Sequence, residues 1–189
     1  MGIFDHLKAK NVVETEPVKP VVLPRNTTVS VCFETLPNNV EEFLALPQFS
    51  LEQPAYAAAL FCLAMCSWAD DKNAAIEMIN ALKGPEPLTP YKISFLNERV
   101  SDQPYKYQSY FKGSSPENDY TLDMPLTVEV TYGPYCYSED ESFADVLLKS
   151  SGADSERKFR TRRKGNKWYM VEEYLSSGIR IAKSSDPWA

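Results

Sequence analysis

Residues 55–69, AYAAALFCLAMCSWA, form an apolar run interrupted only by Ser67. A helix with no polar stripe has no face to turn to water, so this run predicts a helix surrounded on nearly all sides. It is too short to span a bilayer, which takes about 20 apolar residues. The rest of the chain must therefore supply the layers that cover it. At 189 residues the chain is long enough to do so, since a chain of that size buries roughly 70% of its unfolded surface. Fourteen prolines against seven glycines suggest many fixed turns and loop entries.

Before this helix, TTVSVCFE (27–34) alternates Val29, Val31 and Phe33 against Ser30, Cys32 and Glu34, the pattern of a half-buried strand. Asn39 caps VEEFLAL with Glu42 as its capping-box partner, and Ser50 with Gln53 suggests the same device ahead of the buried run. Asp70 or Asp71 starts the next helix, with Ile76, Ile79 and Leu82 along its core stripe and Gly84-Pro85 at its end. Thr89 and Pro90 open another, spaced by Ile93, Leu96 and Val100. From Gly113 onward the pattern is of strands: PLTVEVTY (125–132), FADVLLKS (143–150) and two arms around Gly165-Asn166.

These patterns divide the chain into a tail and linker over 1–25 and one domain over 26–189, mainly helical to 112 and mainly β from 113. The fold class is α+β, an N-terminal helical block packed on a C-terminal antiparallel meander. Cystatin-like and nuclear-transport-factor-like cone folds share this order by analogy. Ile3, Phe4 and Leu7 suggest a short amphipathic turn at the start, with no signal-peptide h-region, and the chain as a whole contains no candidate transmembrane segment.

The residue inventory excludes most familiar chemistry. The single histidine, His6, lies in the tail, so the domain has no histidine base or histidine metal ligand. There is no Gly-x-Ser-x-Gly elbow, phosphate-cradling loop or dinucleotide fingerprint. Asp70/Asp71 read as a helix start, and Glu172/Glu173 point to opposite sides of a strand unless that strand is bulged. Glu117, Asp119 and Asp123 lack the calcium-loop order. Cys32, Cys62, Cys66 and Cys136 lack the density of a disulfide scaffold and read as reduced, mainly structural thiols of a cytoplasmic protein. No catalytic residue, cofactor or metal is expected. Aromatic residues at 105–111 and at Tyr132, Tyr135 and Tyr137 suit the sealed edge of a core, or else a pocket or partner face. Trp188 either folds back or docks on a partner.

The strongest surface feature is KFRTRRKGNK. Seven Lys or Arg residues lie between Arg157 and Lys167, in a chain of net charge −6. With Gly165-Asn166 as a two-residue turn, Lys164 faces Lys167, Arg163 faces Trp168, Arg162 faces Tyr169 and Arg160 faces Val171. Phe159, Thr161, Trp168 and Met170 then form the core face. Lys158, Arg160, Arg162, Lys164 and Lys167 share the other with Tyr169 and Val171. Residues 114–156 hold ten acids and one base, so neighbouring strands can answer much of this charge.

Several segments together, ALKGPEPLTPYKISFLNERV, SYFKGSSPENDYT, SSGADSERKFRTRRKGNKWYM and SSDPWA, resemble an uncharacterised bacterial domain family of unknown function. The resemblance runs from about Val29 to Ala189 and implies a small cytoplasmic bacterial protein, with no activity or cofactor to carry over. Where the family pattern continues after Ser155 with a Pro-Arg-Pro-like stretch, this chain has Glu156-Arg157-Lys158.

The expectation is a non-enzymatic module that binds a protein partner through Arg160, Arg162, Lys164, Lys167 and Tyr169, or through its termini. The alternative is a small-ligand or enzymatic domain with a pocket between helices and sheet. Nucleic acid is not expected, because the net negative charge repels a polyanion.

Overall fold

The computed structural model describes residues 22–101 and 103–188. His6, the turn at Ile3, Phe4 and Leu7, and most of the expected 8–25 linker lie outside these residues. Five strands form one antiparallel sheet in sequence order: β1 (Thr27–Phe33), β2 (Leu126–Tyr132), β3 (Phe143–Leu148), β4 (Arg157–Lys164) and β5 (Lys167–Glu173). Four α-helices, α1 (Val40–Leu44), α2 (Pro54–Cys66), α3 (Lys72–Lys83) and α4 (Pro90–Val100), all fall between β1 and β2. The arrangement is α+β, with the helical block inserted between two adjacent strands whose register runs from Thr27 opposite Tyr132 to Phe33 opposite Leu126.

The apolar run is α2, and it packs against all five strands. Every residue from Ala57 to Met65 is buried. Asn39, Asp71 and Thr89 cap α1, α3 and α4 by accepting from the N–H groups of Glu42, Ala74 and Lys92. The capping expected of Ser50 and Gln53 does not occur. Ser50 belongs to a 3-10 turn, and Gln53 occupies the cap position without a side-chain bond. Pro54 has no N–H to satisfy, and the free Ala55 N–H donates to the Tyr132 hydroxyl on β2 at 3.0 Å. On α3 the core stripe is Ala75, Met78, Ile79 and Leu82, with Ile76 at its half-buried margin.

The first strand after the helices, β2, falls at Leu126–Tyr132, where alternation over 125–132 predicts it. Three 3-10 turns, Pro104–Lys106, Gln108–Tyr110 and Pro116–Asn118, precede β2. In and beside these turns Tyr105, Tyr107, Tyr110 and Phe111 turn inward and seal the core, as do Tyr132 and Tyr137. Tyr135 stays outside.

The Gly152–Ser155 stretch receives the C-terminal arm. The Arg180 N–H donates to the Gly152 carbonyl at 2.8 Å, the Tyr120 hydroxyl donates to the Arg180 carbonyl at 2.7 Å, and the Arg180 guanidinium pairs with Asp154 at 2.9 Å. Ile179 and Ala182 are buried by this docking. Trp188, 93% exposed, does not fold back.

The hairpin turn falls at Gly165-Asn166, and its register matches the sequence reading as far as Thr161 opposite Met170. A bulge follows, so Arg160 faces Glu172 rather than Val171, and Val171 has no partner across the ladder. The bulge reverses the alternation of β5. Glu173 thereby accepts from Tyr107 Oη at 3.3 Å and Leu175 N at 2.7 Å, while Glu172 accepts from Tyr174 Oη. With the strand bulged, both glutamates border the small hollow between α4 and β5, but their carboxylates accept from different groups.

Candidate functional site

The core face of the hairpin is as its alternation predicts, with Phe159, Thr161, Trp168 and Met170 buried. The basic face divides. Arg160 is committed internally, its Nε and Nη2 donating to the two Asp145 oxygens at 2.7 and 2.8 Å, with Lys158 Nζ 3.6 Å from the same carboxylate. Arg163 lies 3.9 Å from Glu141. Lys167, opposite Lys164 across the turn, places its ammonium over the Phe49 ring. Arg162 lies over Phe143, and neither Arg162 nor Lys164 makes an ion pair among the described residues. The acidic segment before the hairpin thus answers Lys158, Arg160 and Arg163, but not these two.

Arg162, Lys164 and Tyr169 open onto a groove of about 360 Å³ beside β5. Its other wall is supplied by Lys83, Pro85 and Glu86, from the loop after α3, which sequence reading did not connect to the hairpin. Gly84 lets that wall approach. Its φ is +63°, and a Cβ there would sit 2.9 Å from Tyr169 Cδ1. The groove has an apolar floor of Tyr169, Met170 and Val171, and four cations against one carboxylate at its walls. Lys83 donates to the Val171 carbonyl at 3.3 Å, and burial holds its ammonium below the ordinary lysine pKa, Glu86 opposing that shift. Such a groove can hold a carboxylate or other anion while an apolar group rests on its floor.

Burial raises the Asp145 carboxyl, but the bonds and charge of Arg160, with Lys158, outweigh it and hold the group below the usual range. Its stabilisation is complete above the unfolded-state pKa near ~4 and is lost as pH falls through the lower folded-state value. Asp145→Asn should therefore cost about 1 kcal/mol at neutral pH and nothing in strongly acid solution. Urea midpoints across pH check this; an equal loss at every pH would contradict it.

Other ionisable groups are structural in their surroundings. Burial raises the Glu173 carboxyl above its ordinary range, yet the hollow beside it, between α4 and β5, is only about 30 Å³, room for a single water. The space between α2 and the sheet is filled by Phe61, Tyr107, Phe159 and Trp168, all fully buried. Cys66 is pushed by burial up to about 12 and Cys62 well above its usual value, which keeps both thiols protonated. Among the described residues no group of three acidic, histidine or cysteine side chains could hold a metal, and no helix is long and apolar enough to cross a membrane.

No curated protein and no solved structure matches the chain. A family described as a domain of unknown function, DUF6935, matches residues 35–183, from just before α1 to the docked C-terminal arm. The motifs in which the sequence resembles an uncharacterised family fall mostly within this span, and the chain belongs to the DUF6935 family.

Proposed function

We propose that this chain is a non-enzymatic interaction module of the bacterial cytoplasm that holds an acidic protein segment in the groove beside β5. The observation that carries the reading is the division of the basic face. Nearby acids take Lys158 and Arg160, and Arg163, which also borders the groove, lies 3.9 Å from Glu141, whereas Arg162 and Lys164 face the groove without an ion pair among the described residues. Unpaired cations around an apolar floor favour a ligand carrying both charge and side chains. Of the five residues singled out by sequence, Arg162, Lys164 and Tyr169 form the proposed contact surface, whereas Arg160, bound to Asp145, and Lys167, over Phe49, do not line the groove. The four free cysteines support a reducing compartment, and the family resemblance supports a bacterial source.

A short acidic segment is favoured over nucleic acid because charges beyond about 8 Å are screened at physiological salt. A segment confined to the groove meets mainly cations, whereas a long polyanion would run onto the acidic remainder of a chain of charge −6.

The double variant Arg162→Glu, Lys164→Glu should bind a peptide of alternating Glu and Ser at least tenfold more weakly than the parent by calorimetric titration, with stability changed by less than about 0.5 kcal/mol. Unchanged affinity, or tighter binding of single-stranded nucleic acid than of the peptide, would overturn the reading.

A further inference from the structure

We infer that the acidic segment lies extended along the edge of β5, placing its acids at Arg162 and Lys164 and an apolar side chain on the ledge formed by Leu88 and Tyr91. The inference rests on the groove being the binding site and adds the form and side-chain pattern of its occupant. Three hollows share one boundary residue, Lys83: the groove itself, the small hollow between α4 and β5, and a wider one of about 550 Å³ over Pro87, Leu88 and Tyr91. They adjoin around Lys83 along one wall, since the first shares Met170 and Val171 with the second and Glu86 with the third, and the second shares Leu88 and Lys92 with the third.

The composition of that wall changes along its length. At one end stand Arg162 and Lys164; at the other, Leu88 is half-buried and Tyr91 is 74% exposed. A purely anionic ligand would use only the first end. An extended chain crossing both presents acid and apolar side chains to different parts of the same wall.

Lys83 marks the crossing. The bulge leaves Val171 without a partner strand residue, and Lys83 Nζ donates to the Val171 carbonyl. A segment lying along the edge carries the two groups that replace this contact, a backbone N–H for the Val171 carbonyl and a carboxylate for the Lys83 ammonium. The partial burial of Lys83, which disfavours its charge, makes a carboxylate partner more favourable there. Nearer the turn the Trp168 N–H already donates to the Leu51 carbonyl, so the open stretch of the edge is at Val171, where it is covered by a side chain that an acidic strand can displace and a neutral strand cannot.

The test uses the full chain and the alternating Glu and Ser peptide as host, with one Ser replaced by Leu at successive positions. One Leu position should bind about tenfold tighter than the host. Tyr91→Ser, a change at an exposed position, should abolish that gain and leave host affinity unchanged. Lys83→Met, which retains the aliphatic stem, should weaken every peptide several-fold. If the host binds through Arg162 and Lys164 but no Leu position improves it, or Tyr91→Ser leaves the gain intact, the ledge is wrong while the groove stands. Unchanged affinity in Lys83→Met removes the exchange at Val171. No binding of the host peptide removes both the groove reading and this inference.

Discussion

Phe61→Ala should cost about 3–5 kcal/mol, a large part of the roughly 5–15 kcal/mol that holds a domain folded. Phe61 is fully buried at the centre of α2. Its ring meets Tyr107 edge-on at 5.5 Å and Phe159 at 5.6 Å, so one side chain joins the central helix, the 3-10 turns after α4 and strand β4. Truncation removes aromatic contact from all three and leaves a cavity that the filled interface around α2 has little room to close. The check is urea unfolding followed by tryptophan fluorescence. The midpoint should fall with an unchanged slope, and a loss below about 1 kcal/mol would mean that α2 does not pack as described.

Gly152→Ala is the second large effect, expected at about 1–3 kcal/mol with a drop in melting temperature of several degrees. Gly152 is buried, and a Cβ there would overlap the Tyr120 hydroxyl and approach Ile179 Cγ2 to 2.8 Å. Tyr120 cannot easily withdraw, because it stacks on Tyr105 at 4.9 Å and donates to the Arg180 carbonyl. The strain therefore falls on the docked arm at 179–182. Limited proteolysis should show faster cleavage within that arm in the variant, before the rest of the domain is cut. Cleavage unchanged from the parent, with an unchanged melting temperature, would show that the arm does not depend on this contact.

Much of the fold was legible in the residues because its determinants are local. The caps at Asn39, Asp71 and Thr89 lie within three residues of the groups they bond, and the turn at Gly165-Asn166 set the hairpin register directly. The division between apolar and basic faces followed from alternation. What was not legible depends on distant partners. The start of α2 is completed by Tyr132, far along the chain, so no nearby residue reveals it. The bulge at Val171 turns Glu173 inward toward Tyr107 and Leu175, an outcome that strict alternation does not anticipate. Of the proposed site, Arg162, Lys164 and Tyr169 were visible as part of a basic run. Its second wall was not, since Lys83 and Glu86 meet the hairpin only through tertiary packing and the freedom of Gly84. The segments SSGADSERKFRTRRKGNKWYM and SYFKGSSPENDYT gain a structural meaning as well, because Gly152 and Tyr120 anchor the C-terminal arm.

The insertion of all four helices between β1 and β2 has a consequence for assembly. β2 to β5 are joined by short connections and can pair as each is made, but β1 must find its neighbour across about ninety intervening residues. Closing a loop of that size is entropically costly until α2 has collapsed onto the sheet and brought the ends together. β1 is therefore placed to join late, as the strand that completes an already formed four-stranded meander by covering its β2 edge.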